Sequence, residues 1–194
     1  MEQQSEVIKE IEETLGYPVI VKPANLGSSI GVGKADDRQQ LIAAIDLATG
    51  FSGRIVIEKM VQNLREINCS VLGDVEAAEA SVCEEPVVAK DILTYADKYM
   101  KDSATKTGDS KGMASLSRQI PAHISPELTA TIQDYAKKTF IALDGSGVSR
   151  IDFLLDGTSN EVFVNEINTI PGSLSFYLWQ PTGKDFSQLA DDLI

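Results

Sequence analysis

Apolar residues open the chain at helical spacing, with Val7, Ile8, Ile11 and Leu15 on one stripe and Gly16 as a stop, so a helix is expected over residues 3–15. Tyr17 to Pro23 then reads as a strand bounded by prolines. Ile30 to Ala35 reads as a second strand after a small-residue loop, and together they predict a hairpin with a Gly-Ser tip. Asp36 or Asp37 is placed to cap a helix that carries Leu41, Ile42 and Ile45 and ends near Gly50, and Arg54 to Val61 is a β-rich run. Beyond it the pattern shifts to antiparallel sheet, Glu66 to Leu72 and Val75 to Val82, with Gly73 and Asp74 as the turn. This shift puts a boundary near residue 61, between a small lobe (1–61) and a larger one (62–194).

In the larger lobe, residues 95–118 are rich in Lys, Ser, Thr, Asp and Gly and have little periodicity, which predicts a long exposed loop, either disordered or a lid. Ser125-Pro126 starts a helix expected to reach Leu143, with Leu128, Ile132, Tyr135, Thr139 and Phe140 as its buried stripe. Val148 to Leu155 and Glu161 to Asn168 are two strands joined by residues 156–160, and an amphipathic stretch begins near Phe186. No internal repeat is present.

Composition narrows the chemistry. Seventeen Lys and Arg against 29 Asp and Glu give a formal charge of −12, a field that repels phosphate backbones and argues against nucleic acid as a partner. A phosphorylated ligand must therefore find local positive charge or metal. No window approaches the roughly 18 unbroken apolar residues of a spanning helix, and the acidic N-terminus lacks the features of a secretory signal, so a cytoplasmic protein without membrane partners is expected. Cys69 and Cys83 are expected as buried reduced thiols. His123 is the only histidine, which leaves a zinc site or a Ser-His-Asp centre poorly supported.

Three constellations carry candidate chemistry. In the last hairpin Arg150 and Asp152 share one strand face, as do Glu166 and Asn168, and closure of the loop brings those faces together. Carboxylates opposed across paired strands repel unless a cation lies between them, and Asp152, Glu166 and Asn168 offer the oxygen ligands that magnesium takes beside substrate phosphates. Arg150 would stabilise charge developing on a transferred group. A solvated polar strand face with salt bridges is the plain alternative. The second constellation is Asn25 to Gly31 with Lys22 ahead of it. Glycine amides, the hydroxyls of Ser28 and Ser29 and one lysine suit phosphate oxygens, although a simple hairpin tip has the same composition. The third is Ile55 to Val61, an apolar strand interrupted by Glu58-Lys59, able to present backbone and a carboxylate to an adenine edge with Met60 packed on the ring. Glu66 on the following strand could accept from ribose hydroxyls. Surface ion pairs are the alternative for both glutamates.

The order of these motifs is more specific than any one of them. Lys22-Pro23, Gly27 to Val32, Glu58-Lys59, Tyr95 to Tyr99, Ser149 to Asp152 and Asn165 to Gly172 together resemble the D-alanine–D-alanine ligase family over essentially the whole chain. The resemblance implies an ATP-grasp fold of class α+β, with two lobes clasping ATP. It implies Lys22 on ATP phosphate, Ser28 and Ser29 in the loop over the γ-phosphate, and Glu58, Lys59, Met60 and Val61 at adenine. It further implies Glu66 at ribose, Lys98 and Tyr99 in a closing loop, and Asp152, Glu166 and Asn168 as ligands of magnesium, two ions in number, with manganese as a substitute. Arg150 and the backbone amide of Gly172, with Ser29, would serve catalysis through an acyl phosphate in peptidoglycan precursor synthesis, with D-alanine or related amino or hydroxy acids as substrates. Other substrates, or a nucleotide-binding module without catalysis, are the alternative readings.

Two departures shape these expectations. The family has a further N-terminal domain, so the chain is expected to be the C-terminal part of a longer protein, homodimeric at full length and without complete activity in isolation. After Gly172 the family carries a serine that binds the second substrate's carboxylate, whereas Ser173 to Trp179 here places Tyr177 near that position. Ser173 or Ser175 could supply the hydroxyl, the aromatic residues could recognise another substrate, or they could simply pack in the core.

Overall fold

A computed structural model describes residues 2–27, 29–86 and 118–194. Ser28, Lys98, Tyr99 and all but the last residue of the expected 95–118 loop lie outside the described residues. The chain divides into two units, with the break between Met60 and Val61.

In the first unit, α1 (Glu2–Thr14) leads through β1 (Val19–Pro23) and β2 (Gly33–Ala35) to α2 (Arg38–Thr49) and β3 (Ile55–Lys59). The strands form an antiparallel sheet in the order β2-β1-β3. Alternation along β1 buries Val19 and Val21, and these pack with Ile8 of α1 and with Leu41, Ala44 and Ala48 of α2. Asp37 rather than Asp36 caps α2, accepting from the Gln40 amide at 2.8 Å. The strand expected from Ile30 begins only at Gly33. Ser29 (φ 60°) and Gly31 (φ 71°) are left-handed, and two successive turns, Ile30 N to Gly27 O and Val32 N to Ser29 O, occupy the segment instead.

The second unit is built on a five-stranded antiparallel sheet in the order β6-β5-β4-β7-β8. Its strands are β4 (Leu64–Gly73), β5 (Ala78–Pro86), β6 (Arg118–Gln119), β7 (Gly147–Asp156) and β8 (Val162–Asn168). The helix α3 (Pro126–Ala142), capped by the Ser125 hydroxyl, buries Ile132, Ala136 and Phe140 against Ile67, Cys69, Val71, Ile151, Phe153 and Leu155. The stripe thus runs through Ala136. Tyr135, expected in it, is 39% exposed, because a four-residue step from Ile132 and back from Phe140 leaves no room one position earlier.

The β4–β5 connection is also longer than two residues. Asp74 Oδ1 accepts from the amides of Glu76 and Ala77, closing a turn over 74–77, so β5 starts at Ala78 and Val75 is exposed. Gly73 at φ 126° is required there, since a Cβ would lie 1.9 Å from the Ala77 carbonyl oxygen. Cys69 and Cys83 face each other across β4 and β5 as buried free thiols. The hydrogen bond with Cys83, aided by burial, holds the Cys69 thiol well above the usual range.

The other face of β4 and β7 carries Leu72 and Val148, which pack with Trp179 of α4 (Phe176–Trp179) and Leu189 of α5 (Phe186–Asp191). Trp179 is anchored twice, by burial and by an Nε1–H donated to Ser70 Oγ at 3.1 Å. Among the described residues no helix is long and apolar enough to cross a membrane.

Truncating Phe140 to Ala is expected to cost about 3–5 kcal/mol in the urea unfolding of the second unit, whereas Tyr135→Ala stays within about 0.5 kcal/mol. Equal losses would place the helix in the wrong phase.

Candidate functional site

The polar face of the second sheet follows from the register of four strands. Asp152 on β7 stands opposite Glu166 on β8 and opposite Asn68 on β4, and Asn68 in turn stands opposite Glu84 on β5. A second row, two residues along, sets Arg150 between Ser70 and Asn168. Because side chains two apart share a face, Arg150, Asp152, Glu166 and Asn168 project from one patch of sheet. A β-bulge follows at once, with Phe153 pairing to Val164, so β8 changes direction beside the carboxylates.

The two opposed acids are in different electrical states of support. Asp152 is largely buried and accepts three hydrogen bonds: Arg150 Nε at 2.6 Å, Arg150 Nη2 at 2.7 Å and Asn168 Nδ2 at 2.9 Å. This bidentate clamp raises the Arg150 pKa further above its ordinary value, against the opposing effect of burial. Glu166, directly across, is exposed and has no hydrogen-bond or ion-pair partner among the described residues. The arrangement fits a hard divalent cation. The donors are carboxylate and amide oxygens, Asn168 uses its Nδ2 on Asp152 and keeps its Oδ1 for another partner, and the Glu166 side is open to solvent.

Gly172 lies just beyond β8 in a single 3-10 turn, Gly172–Ser175, followed by α4. Ser173, Leu174 and Ser175 all have φ near 52°, a left-handed run that L residues adopt only under constraint. Trp179 and Leu178, both buried, hold the far end of this segment. Of its aromatic residues Trp179 is therefore core. Tyr177 is different: its hydroxyl donates to Glu84 Oε1 at 3.2 Å, and the Arg118 guanidinium lies 4.6 Å from its ring centre.

In the first unit the structure brings Lys22 and Glu58 together, Nζ to Oε2 at 2.7 Å, on neighbouring strands β1 and β3. Ser29 sits in the left-handed turn, Lys59 is exposed at the end of β3, and the Met60 amide donates to Pro18 O. Val61 and Glu66 belong to the second unit, where Glu66 is exposed on β4 two residues before Asn68.

Sequence reasoning missed Asn68, Glu84 and Arg118. Glu84 is 1% exposed and accepts from Asn68 Nδ2 at 3.0 Å, with the Arg118 guanidinium 3.5 Å from Oε2. The available signal was Glu84 directly after the apolar pair Val82-Cys83, but its burial depends on pairing with β4, which no local pattern reveals.

Comparison with known proteins decides the family. A family model described as D-ala D-ala ligase C-terminus matches residues 1–194. The chain belongs to the D-alanine–D-alanine ligase family. It is 45% identical to the D-alanine–D-alanine ligase of Heliobacterium modesticaldum over 98% of the chain and 43% identical to that of Thermosipho melanesiensis over its whole length. Each match takes in 50% of the relative, so the chain spans about half the length of the curated relatives it matches. Among solved structures it is similar to the VanG D-Ala:D-Ser ligase from Enterococcus faecalis, with TM-score 0.79, 31% identity, and 99% of this chain and 53% of that one covered. D-alanyl-alanine synthetase A from Vibrio cholerae, at TM-score 0.78 and 24% identity over 100% of this chain and 56% of that one, shares the fold. That fold is the ATP-grasp fold, of class α+β.

The asymmetry within the acidic pair has a stability consequence in metal-free buffer. Asp152→Ala strands the Arg150 charge in a mostly buried position and is expected to destabilise the second unit by about 3 kcal/mol. Glu166→Ala is expected to leave stability unchanged or slightly raised, because it removes only a repulsive neighbour. Chemical denaturation of both variants checks this, and comparable losses would contradict it.

Proposed function

We propose that the protein carrying this chain is an ATP-dependent carboxylate–amine ligase that joins D-alanine to a second D-amino or D-hydroxy acid, with D-alanyl-D-alanine for peptidoglycan as the first candidate product. The observation that carries this reading is the opposition of Asp152 and Glu166 beside Arg150 and Asn168. A polar strand face built only for solubility has no use for a buried arginine clamped to one acid while the facing acid is left unpaired.

In this reading Asp152, Glu166 and Asn168 hold magnesium, which, when bound, neutralises triphosphate oxygens and favours phosphoryl transfer. Lys22 and the Ser29 turn take the phosphate end of ATP, while the 58–61 segment and Glu66 take the nucleoside. The γ-phosphoryl group passes to the first carboxylate, and the amine of the second substrate, or the hydroxyl of a hydroxy acid, attacks the carbonyl carbon of the acyl phosphate, loses its proton and expels phosphate. Arg150 is set to meet the negative charge that develops on the acyl oxygen as the attacked carbon becomes tetrahedral, together with the Gly172 amide. The clamp from Asp152 fixes the guanidinium before substrate arrives, so little reorganisation accompanies the chemistry. The remaining half of such a protein would complete the first-substrate site and a homodimer, and the cytoplasm would be the setting. Residues 1–61 and 62–194 are then the small and the large lobe of the ATP-grasp fold.

A second reading concerns substrate choice. Tyr177, whose hydroxyl donates to Glu84, lies near the position where the family pattern carries a serine, which favours a second substrate other than D-alanine.

The test is a phosphate-release assay of the full-length protein with Mg-ATP, D-alanine and a panel of D-amino and D-hydroxy acids. D-alanine-dependent turnover is expected, and Glu166→Gln should reduce it by about 100-fold or more. Full turnover in that variant would refute the metal role. No turnover with any acid would refute the ligase reading.

A further inference from the structure

The buried cluster around Glu84 takes no part in the reaction described above, yet it lies on the same sheet face. Strand register sets Glu166, Asp152, Asn68 and Glu84 in one row, and neighbouring strands stand about 4.8 Å apart, so Glu84 is roughly 10 Å from Asp152. Three groups converge on its carboxylate. Asn68 Nδ2 and the Tyr177 hydroxyl donate to Oε1 at 3.0 and 3.2 Å, and the Arg118 guanidinium stands 3.5 Å from Oε2. Arg118 also lies over the Tyr177 ring, 4.6 Å from its centre, so the phenol is held at its tip by one member of an ion pair and on its face by the other. The backbone leaves it little freedom either, because the left-handed run 173–175 precedes it and the buried Trp179, hydrogen-bonded to Ser70, follows. If the cluster served only to pack α4 on β5, an apolar residue in place of the buried Glu84 would do so at lower cost.

The direction of the Tyr177 hydrogen bond sets what the phenol can offer a ligand. Its single proton is given to Glu84, and burial, with the Glu84 charge beside it, raises the Tyr177 pKa, so the proton is retained at neutral pH. The oxygen is left as an acceptor. A ligand seated against this half-buried oxygen either brings a donor or leaves the acceptor dry, which weakens binding. We propose that Glu84 and Arg118 are positioning residues that hold Tyr177 as an acceptor-only wall of the second-substrate site, and so select a D-acid whose side chain carries a hydrogen-bond donor. The proposal rests on the ligase reading and on the place of Tyr177 in substrate choice.

Two measurements on the full-length protein test this. In the first, tyrosine is labelled with ¹³C at Cζ, and the Tyr177 signal is assigned by its loss in Tyr177→Phe. Glu84→Gln and Arg118→Met are each expected to move it, and a signal indifferent to either overturns the hold, whatever the enzyme's substrates prove to be. The second is a competition at saturating Mg-ATP with equal D-serine and D-alanine, read by mass spectrometry as the ratio of D-alanyl-D-serine to D-alanyl-D-alanine. In the parent the serine product is expected to lead by about ten-fold or more. Tyr177→Phe should bring the ratio to about one, and Glu84→Gln and Arg118→Met should each lower it by about three-fold or more with the KM for ATP within about two-fold of the parent. O-methyl-D-serine, which keeps the oxygen without its proton, should compete no better than D-alanine. Tyr177→Phe/Glu84→Gln should match Tyr177→Phe alone, because Glu84 acts through the hydroxyl. A parent without the serine preference, or variants that lose melting temperature while keeping the parent's ratio, would overturn the selection. If no acid is turned over, the ligase reading fails and the selection with it, and the Cζ shift still decides whether Glu84 and Arg118 hold the ring.

Discussion

Two carboxylates face each other across β7 and β8, and the rest of the second unit is arranged around that juxtaposition. Register alone imposes it. Ten pairs between β4 and β7 and the bulged ladder to β8 leave Asp152 no alternative to the position opposite Glu166. The sheet neutralises only one member, through the Arg150 clamp, and leaves the other exposed. A pair so balanced is tolerable without a cation and receptive to one, which is the property a nucleotide-metal site needs.

The supporting architecture follows the same logic at increasing distance. One face of the sheet is closed by the apolar stripe of α3, which makes the odd-numbered positions of β4 and β7 a dry core. The even-numbered positions therefore carry the polar groups, Asn68, Ser70, Arg150 and Asp152, and burial forces each to find a partner. Ser70 shows how completely this is done, since it donates to Ser149 O and accepts from Trp179. Through Trp179 the same face fixes the strained segment after Gly172. Precision at the arginine is thus obtained from hydrogen-bond satisfaction rather than from additional charge.

Elements defined by local chemistry were legible in the sequence. Ser125-Pro126 and the pair Asp36-Asp37 marked helix starts through side-chain capping, and the two-residue period of β7 and β8 was enough to put Arg150 with Asp152 and Glu166 with Asn168. Features that depend on distant pairing were not legible. Tyr135 looked as apolar as its neighbours until the sheet chose which helical face it would cover. The Asp74 turn and the left-handed Ser29 to Gly31 segment obey side-chain and backbone rules that hydrophobic alternation does not encode. Glu84 is the clearest case, because its burial exists only once β5 has paired with β4 and α4 has covered the row.

On the ligase reading, Asp152 and Glu166 share a divalent ion. Crystals of the full-length protein grown with Mn²⁺ and a non-hydrolysable ATP analogue would test it through manganese anomalous scattering. An anomalous peak within coordination distance of both carboxylates, with Arg150 still held at Asp152, is the expected result. A peak elsewhere, or a nucleotide bound with no anomalous density between the two acids, would contradict it.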